Sequence, residues 1–142
     1  MENLKFTYDV KADDFSVAGE NSSKVKKLLK QLGFSPETIR SVAIAMYEAE
    51  INMVIHANGG YIDVEISPEK IIVRLHDNGP GIPDIDKAMQ EGFSTASNSV
   101  RELGFGAGMG LPNMKKYTDE MNITTEIGKG TCVELIVYVK QA

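Results

Sequence analysis

Apolar and polar residues alternate from the start of the chain, with Leu4, Phe6, Tyr8 and Val10 separated by Lys5, Thr7 and Asp9. A period of two is that of a strand with one covered face, so the chain opens with a strand. Over residues 15–32 the period lengthens. Val17, Val25, Leu28, Leu29 and Leu32 mark a helical stripe in the second half of that stretch, with a start near Gly19 and Gly33 as the stop. Ser35 and Pro36 have the chemistry of an N-cap followed by proline in the first helical position. They open a long helix that carries Ile39, Val42, Ala43, Met46, Ile51 and Ile55 and ends near Asn58-Gly59-Gly60. Alternation then returns: Ile62, Val64 and Ile66 against Asp63, Glu65 and Ser67, and, after a turn containing Pro68, Ile71, Val73, Leu75 and Asp77 on one face. The two runs form a hairpin.

A short helix is expected at about residues 85–91. Residues 92–110 are rich in Gly, Ser and Asn with no apolar period, and a segment of that length is usually a functional loop. From about residue 91 to 108 the chain offers little apolar area to offset the entropy of ordering, so that stretch is expected to be mobile until a charged ligand orders it. A helix over 111–119 has Pro112 in its first turn and Leu111, Met114, Tyr117 and Met121 spaced for one buried face. The last hairpin, about 122–127 and 131–139, turns at Gly128-Lys129-Gly130 and points Thr131, Val133, Leu135, Val137 and Val139 inward. The pattern predicts an α+β fold: a two-layer α/β sandwich with helices on one face of a mixed, mostly antiparallel sheet. Residues 1–142 are expected to form a single domain.

Composition narrows the function. Hydrophobic residues at 42% and charged residues at 25% are those of an ordinary globular domain. The net charge of -5 comes with no basic block that could neutralise a run of phosphates, so a nucleic-acid partner is not expected. Cys132 has no second cysteine to pair with, and its position in an apolar alternating run suggests a packed thiol, not a nucleophile. No run approaches the roughly 18 to 20 apolar residues of a membrane span, and MENLKFTYDV has neither a basic nor an apolar leader region. A cytoplasmic protein without membrane association is expected.

Three segments carry candidate chemistry. On the long helix Glu48 and Asn52 are one turn apart, about 40° around the axis, and project from one face. Asn52 suits a hard divalent cation such as Mg2+, and Glu48 suits orienting or deprotonating an attacking hydroxyl. Glu50 lies about 200° from Glu48 and faces elsewhere. His56 continues the Glu48/Asn52 line, at a helix end where capping and packing are the commoner roles. Asp77 heads Asp77-Asn78-Gly79-Pro80-Gly81 and shares the inward face of its strand, so its carboxylate needs a donor. The exocyclic amine of adenine would serve, with Gly79 and Gly81 letting backbone approach a flat base. Gly104-Phe105-Gly106-Ala107-Gly108-Met109-Gly110-Leu111 runs into a helix start, where alternate glycines free N–H groups to wrap phosphate. Thr131 could add a hydroxyl beside the base. Each piece alone is weak: E-x-x-x-N is usually a solvated helix face, D-N-G-P-G a plain turn, and G-x-G-x-G fits neither a dinucleotide fingerprint nor a P-loop.

Together and in this order, the segments resemble the N, G1 and G2 boxes of the Bergerat-fold ATPase superfamily, over nearly the whole chain. Within it, YEAEINMVIHA and DNGPGIPDIDKAMQEGFST are similar to the bacterial anti-sigma factor kinases, and GPGIPD, EGFST and GAGMGLPNMKKYTDE bring the chain nearer still to the stressosome-type switch kinases. The resemblance implies ATP and Mg2+ as cofactors and serine or threonine phosphorylation of a small STAS-type, anti-sigma-factor antagonist partner. It also leaves room for a sigma factor as partner and for a homodimer. It makes Glu48 the catalytic base, Asn52 the Mg2+ ligand, and Asp77 the adenine reader supported by Thr131. Gly79, Gly81, Gly106, Gly108, Met109, Gly110 and Leu111 become the nucleotide-facing segment. The competing reading is a non-catalytic ATP-binding module that sequesters a sigma factor or other protein, for which Glu48 would be unnecessary. A histidine kinase fragment is disfavoured because neither His56 nor His76 sits in a long dimerisation helix.

Overall fold

The computed structural model describes residues 3–10, 19–56, 59–77, 110–126 and 128–139. The expected short helix at 85–91, the Gly/Ser/Asn segment up to Met109, and Gly79, Gly81, Gly106 and Gly108 lie outside the described residues, as do the side chains of Ile55, His56 and Leu111.

The elements run β1 (Leu4–Val10), α1 (Glu20–Gln31), α2 (Pro36–His56), β2 (Gly60–Ile66), β3 (Lys70–Asp77), α3 (Gly110–Lys116), β4 (Glu120–Glu126) and β5 (Gly130–Tyr138). The five strands form one sheet in the order β1-β2-β3-β5-β4. Every pairing among these strands is antiparallel. The alternation in the sequence sets which face is covered: Ile62, Val64, Ile66, Ile71, Val73, Leu75, Val133, Leu135 and Val137 are buried and join Val25, Leu29, Val42, Met46 and Met114 of the helices in one core. The helices therefore lie on one face of the sheet, which is the expected two-layer α+β sandwich.

Local chemistry sets the helix ends. Ser35 Oγ accepts from the N–H of Thr38 at 3.2 Å and donates to the Thr38 hydroxyl at 3.0 Å, the N-cap expected ahead of Pro36. α1 ends in a Schellman arrangement, with Phe34 N–H on the Leu29 carbonyl and Gly33 N–H on that of Lys30. Gly33 takes φ of 84° there, a conformation that a side chain would strain. At the other end of α1 the N-cap is Gly19, which has no side chain to cap with. Glu50 of α2 supplies the cap from across the helix interface. Its carboxylate accepts from Asn21 N–H at 3.1 Å, Ser22 N–H at 3.0 Å and the Ser22 hydroxyl at 2.7 Å. Glu50 does face away from Glu48, and it is buried, with 2% exposed.

Some elements depart from the sequence reading. α3 stops at Lys116 and β4 begins at Glu120, so Met121 belongs to a strand and not to the helix stripe. Just past the helix end the Thr118 hydroxyl donates to the Met114 carbonyl at 2.8 Å, satisfying one of the carbonyls that the last turn leaves without a helical partner. Cys132 is half-buried on the sheet face opposite Thr131 and Val133, paired in register with His76. Burial, and then the charge of Glu134, pushes its thiol pKa up, so it stays protonated but does not belong to the inner apolar layer. Among the described residues no helix is long and apolar enough to cross a membrane.

Candidate functional site

Asp77 is the last residue of β3, and its strand phase continues the inward row of Ile71, Val73 and Leu75. The donor that a part-buried carboxylate requires is present: Thr131 N–H, at the start of β5, donates to Asp77 Oδ1 at 3.0 Å. The Thr131 side chain is buried and shares a hydrogen bond with the Thr125 hydroxyl of β4 at 2.9 Å. The ends of β3, β5 and β4 are thus tied together around one carboxylate. β2 completes this corner through Gly60, which pairs with Asp77. Gly60 has φ of 148°, and a Cβ there would lie 1.9 Å from the His76 carbonyl oxygen. No larger residue fits without moving the strand that carries Asp77. The doubled glycine at 59–60, which in sequence marks the end of α2, also serves this close approach.

Glu48 and Asn52 are both half-buried on α2, and the helical repeat directs them to one side. Glu48 meets α3: Asn113 Nδ2 donates to Glu48 Oε1 at 3.4 Å. Burial pushes the Glu48 carboxyl pKa above its ordinary value, and the hydrogen bond from Asn113 partly opposes that rise. A carboxylate in this setting is a better proton acceptor than a solvated one. Asn113 had no signal in the sequence pattern, because a single polar residue between Pro112 and the core residue Met114 looks like an exposed helix position.

The other candidates divide. Gly110 is the first residue of α3, directly after the glycine-rich stretch in sequence. His76 points to the opposite sheet face, where its ring stacks on Tyr61 at 4.5 Å and Nε2 lies 3.5 Å from Asp63 Oδ2. Its side chain takes no part in this corner. His56 ends α2.

Residues 38–141 match the family described as histidine kinase-, DNA gyrase B- and HSP90-like ATPase. The chain belongs to this family. The expected Bergerat fold is therefore correct. Among relatives of this ATPase domain, the serine/threonine-protein kinase RsbT of Bacillus subtilis is 31% identical over 119 residues, spanning 81% of this chain and 84% of that protein. The anti-sigma F factor of Caldanaerobacter subterraneus is 32% identical over 98% of this chain and 94% of its own length. The SiaB–SiaC complex from Pseudomonas aeruginosa contains a chain that superimposes with a TM-score of 0.61 at 12% identity, covering 93% of this chain and 88% of that one. At that identity the superposition speaks for the fold.

The polar groups fit the nucleotide that such ATPases use. A carboxylate oriented by the Thr131 N–H, beside paired threonine hydroxyls, suits an adenine amine. A carboxylate and an amide one turn apart on α2 suit a metal-bound triphosphate.

Proposed function

We propose that the protein is an ATP- and Mg2+-dependent serine/threonine kinase acting on a small STAS-type partner in a cytoplasmic partner-switching pathway. The observation that carries the reading is Glu48: a half-buried carboxyl, raised above its ordinary pKa and held by a neutral amide. That is the condition of a general base, and a module that only sequestered a partner would not need it. When bound, ATP supplies the phosphoryl group, and Mg2+ offsets its charge. Asp77 accepts from the adenine amine while Thr131 fixes its orientation, Asn52 contributes an oxygen ligand to the metal, and Glu48 orients the partner's hydroxyl and takes its proton. The relatives named RsbT and anti-sigma F factor support both the reaction and a protein partner.

The test is incubation with γ-labelled ATP, Mg2+ and STAS-type proteins encoded in the same genome, for the unmodified protein and for Glu48→Gln. Label on a serine or threonine is expected, with transfer about 10²- to 10⁴-fold slower in the variant and ATP affinity within a few-fold. Equal transfer by the two proteins would remove the base. Binding of a partner without any transfer would leave an ATP-gated sequestering module.

A further inference from the structure

α3 is fixed by its second half. Met114 is 1% exposed and packed in the core, and the Asn113 carbonyl accepts from Tyr117 N–H at 3.2 Å to close the last turn. Asn113 stands between Pro112, whose ring restricts the first turn, and this anchored residue, so its side chain leaves the backbone from a defined point. From there Nδ2 donates to Glu48 Oε1 at 3.4 Å, at the long end for such a bond, as is common at catalytic sites without substrate. The donor is also neutral. A lysine or arginine in its position would hold the carboxylate more strongly but would lower its basicity by the same electrostatics; an amide orients without adding a charge.

We infer that Asn113 is the positioning residue for Glu48, aligning the carboxylate from the neighbouring helix so that its proton-accepting oxygen meets the partner hydroxyl. This rests on Glu48 being the base, as proposed above. Asn113 acts through Glu48 and makes no contribution of its own to nucleotide affinity. A misaligned base loses rate steeply, since displacements on the order of 1 Å can cost about 10²-fold.

Two substitutions separate positioning from packing. Asn113→Leu keeps the branched skeleton and removes the donor, whereas Asn113→Asp keeps the shape and sets a like charge against Glu48. Transfer of label from γ-labelled ATP to a STAS-type protein that the unmodified chain phosphorylates is measured in single turnover, each variant in the Glu48 and Glu48→Gln backgrounds. Both variants are expected to slow transfer about tenfold or more, with ATP affinity within about twofold for the neutral Asn113→Leu. Asn113→Leu should not slow Glu48→Gln further, because the group it positions is gone. An equal loss in both backgrounds would make Asn113 a purely structural residue, and unchanged rates beside a slow Glu48→Gln would leave Glu48 aligned without it. If Glu48→Gln itself is as fast as the unmodified protein, the base fails first and this inference with it.

Discussion

At Asp77 the carboxylate Oδ1 is engaged by the backbone N–H of Thr131, and this detail makes Asp77→Asn an informative change. The asparagine oxygen can keep the Thr131 bond, so the strand ends stay tied, while the other oxygen becomes an NH2 that cannot accept from an adenine amine. Losing a hydrogen bond to a charged group costs about 1.5 to 3 kcal/mol, and we expect ATP affinity to fall roughly 10- to 100-fold by calorimetry with an unchanged circular dichroism spectrum. GTP, which presents a carbonyl where adenine presents an amine, should bind weakly to the unmodified protein. Equal affinities for ATP and GTP, or an Asp77→Asn variant that binds ATP normally, would show that Asp77 does not read the base. The inward phase of Asp77 was legible in the alternation Ile71, Val73, Leu75. Thr131 was expected beside it through its hydroxyl; that its backbone N–H is the donor was not legible, because that N–H lies on a strand whose register against β3 is set by the whole sheet.

At the scale of the elements, the helix ends show where sequence reading works and where it stops. The Ser35 cap and the Gly33 stop are local, formed by residues within a few positions of one another, and each was visible as a residue type in the right place. The cap of α1 is not local: Gly19 offers no side chain, and the acceptor comes from Glu50, which sequence spacing could show only to face away from Glu48. Burial along α2 also extends beyond its apolar stripe. The stripe of Ile39, Val42, Ala43, Met46, Ile51 and Ile55 leaves out Ala45, Ala49, Met53 and Val54, all buried, because α2 is covered by the sheet and by both α1 and α3. Glu50→Gln tests the cap. The amide would set a donor against one of three donors that now converge on the carboxylate. Leaving a buried donor unmet costs about 1 to 3 kcal/mol, so we expect urea denaturation to show a loss of that size and hydrogen exchange to speed up in the first turn of α1. A variant as stable as the unmodified protein would mean that water replaces the lost acceptor, and Glu50→Gln would then be a neutral control for Glu48.

For the molecule as a whole, the two-layer architecture was legible because each strand alternates cleanly and each loop has its turn chemistry; the meeting of α2 with α3 was not, because it joins residues far apart in the chain. That junction sets the proposed base, Glu48, against the stability of the fold. Glu48 has its carboxyl pKa raised from the ordinary 4.5 by burial, so the folded state favours its protonated form. The contribution to stability is fully present below the unfolded pKa and is lost as pH rises through the higher folded value, leaving a half-buried charge as a net cost at neutral pH. Glu134, on the outer sheet face, has the opposite sign. Arg74 donates to it at 2.8 Å and lowers its pKa, so its contribution is present above the unfolded pKa and lost as pH falls through the folded value. The acid limb of the unmodified protein therefore combines a gain from Glu48 with a loss from Glu134. Glu48→Gln removes only the first. Without nucleotide, we expect the variant to have the higher Tm at neutral pH, and the difference to shrink as pH is lowered through the raised Glu48 value towards 4.5. Thermal denaturation of both proteins over that range checks it. A Tm difference that stays constant with pH would show that Glu48 is not destabilised as a charge, which would remove the physical basis for its enhanced basicity and leave the proposed catalytic role to rest on position alone.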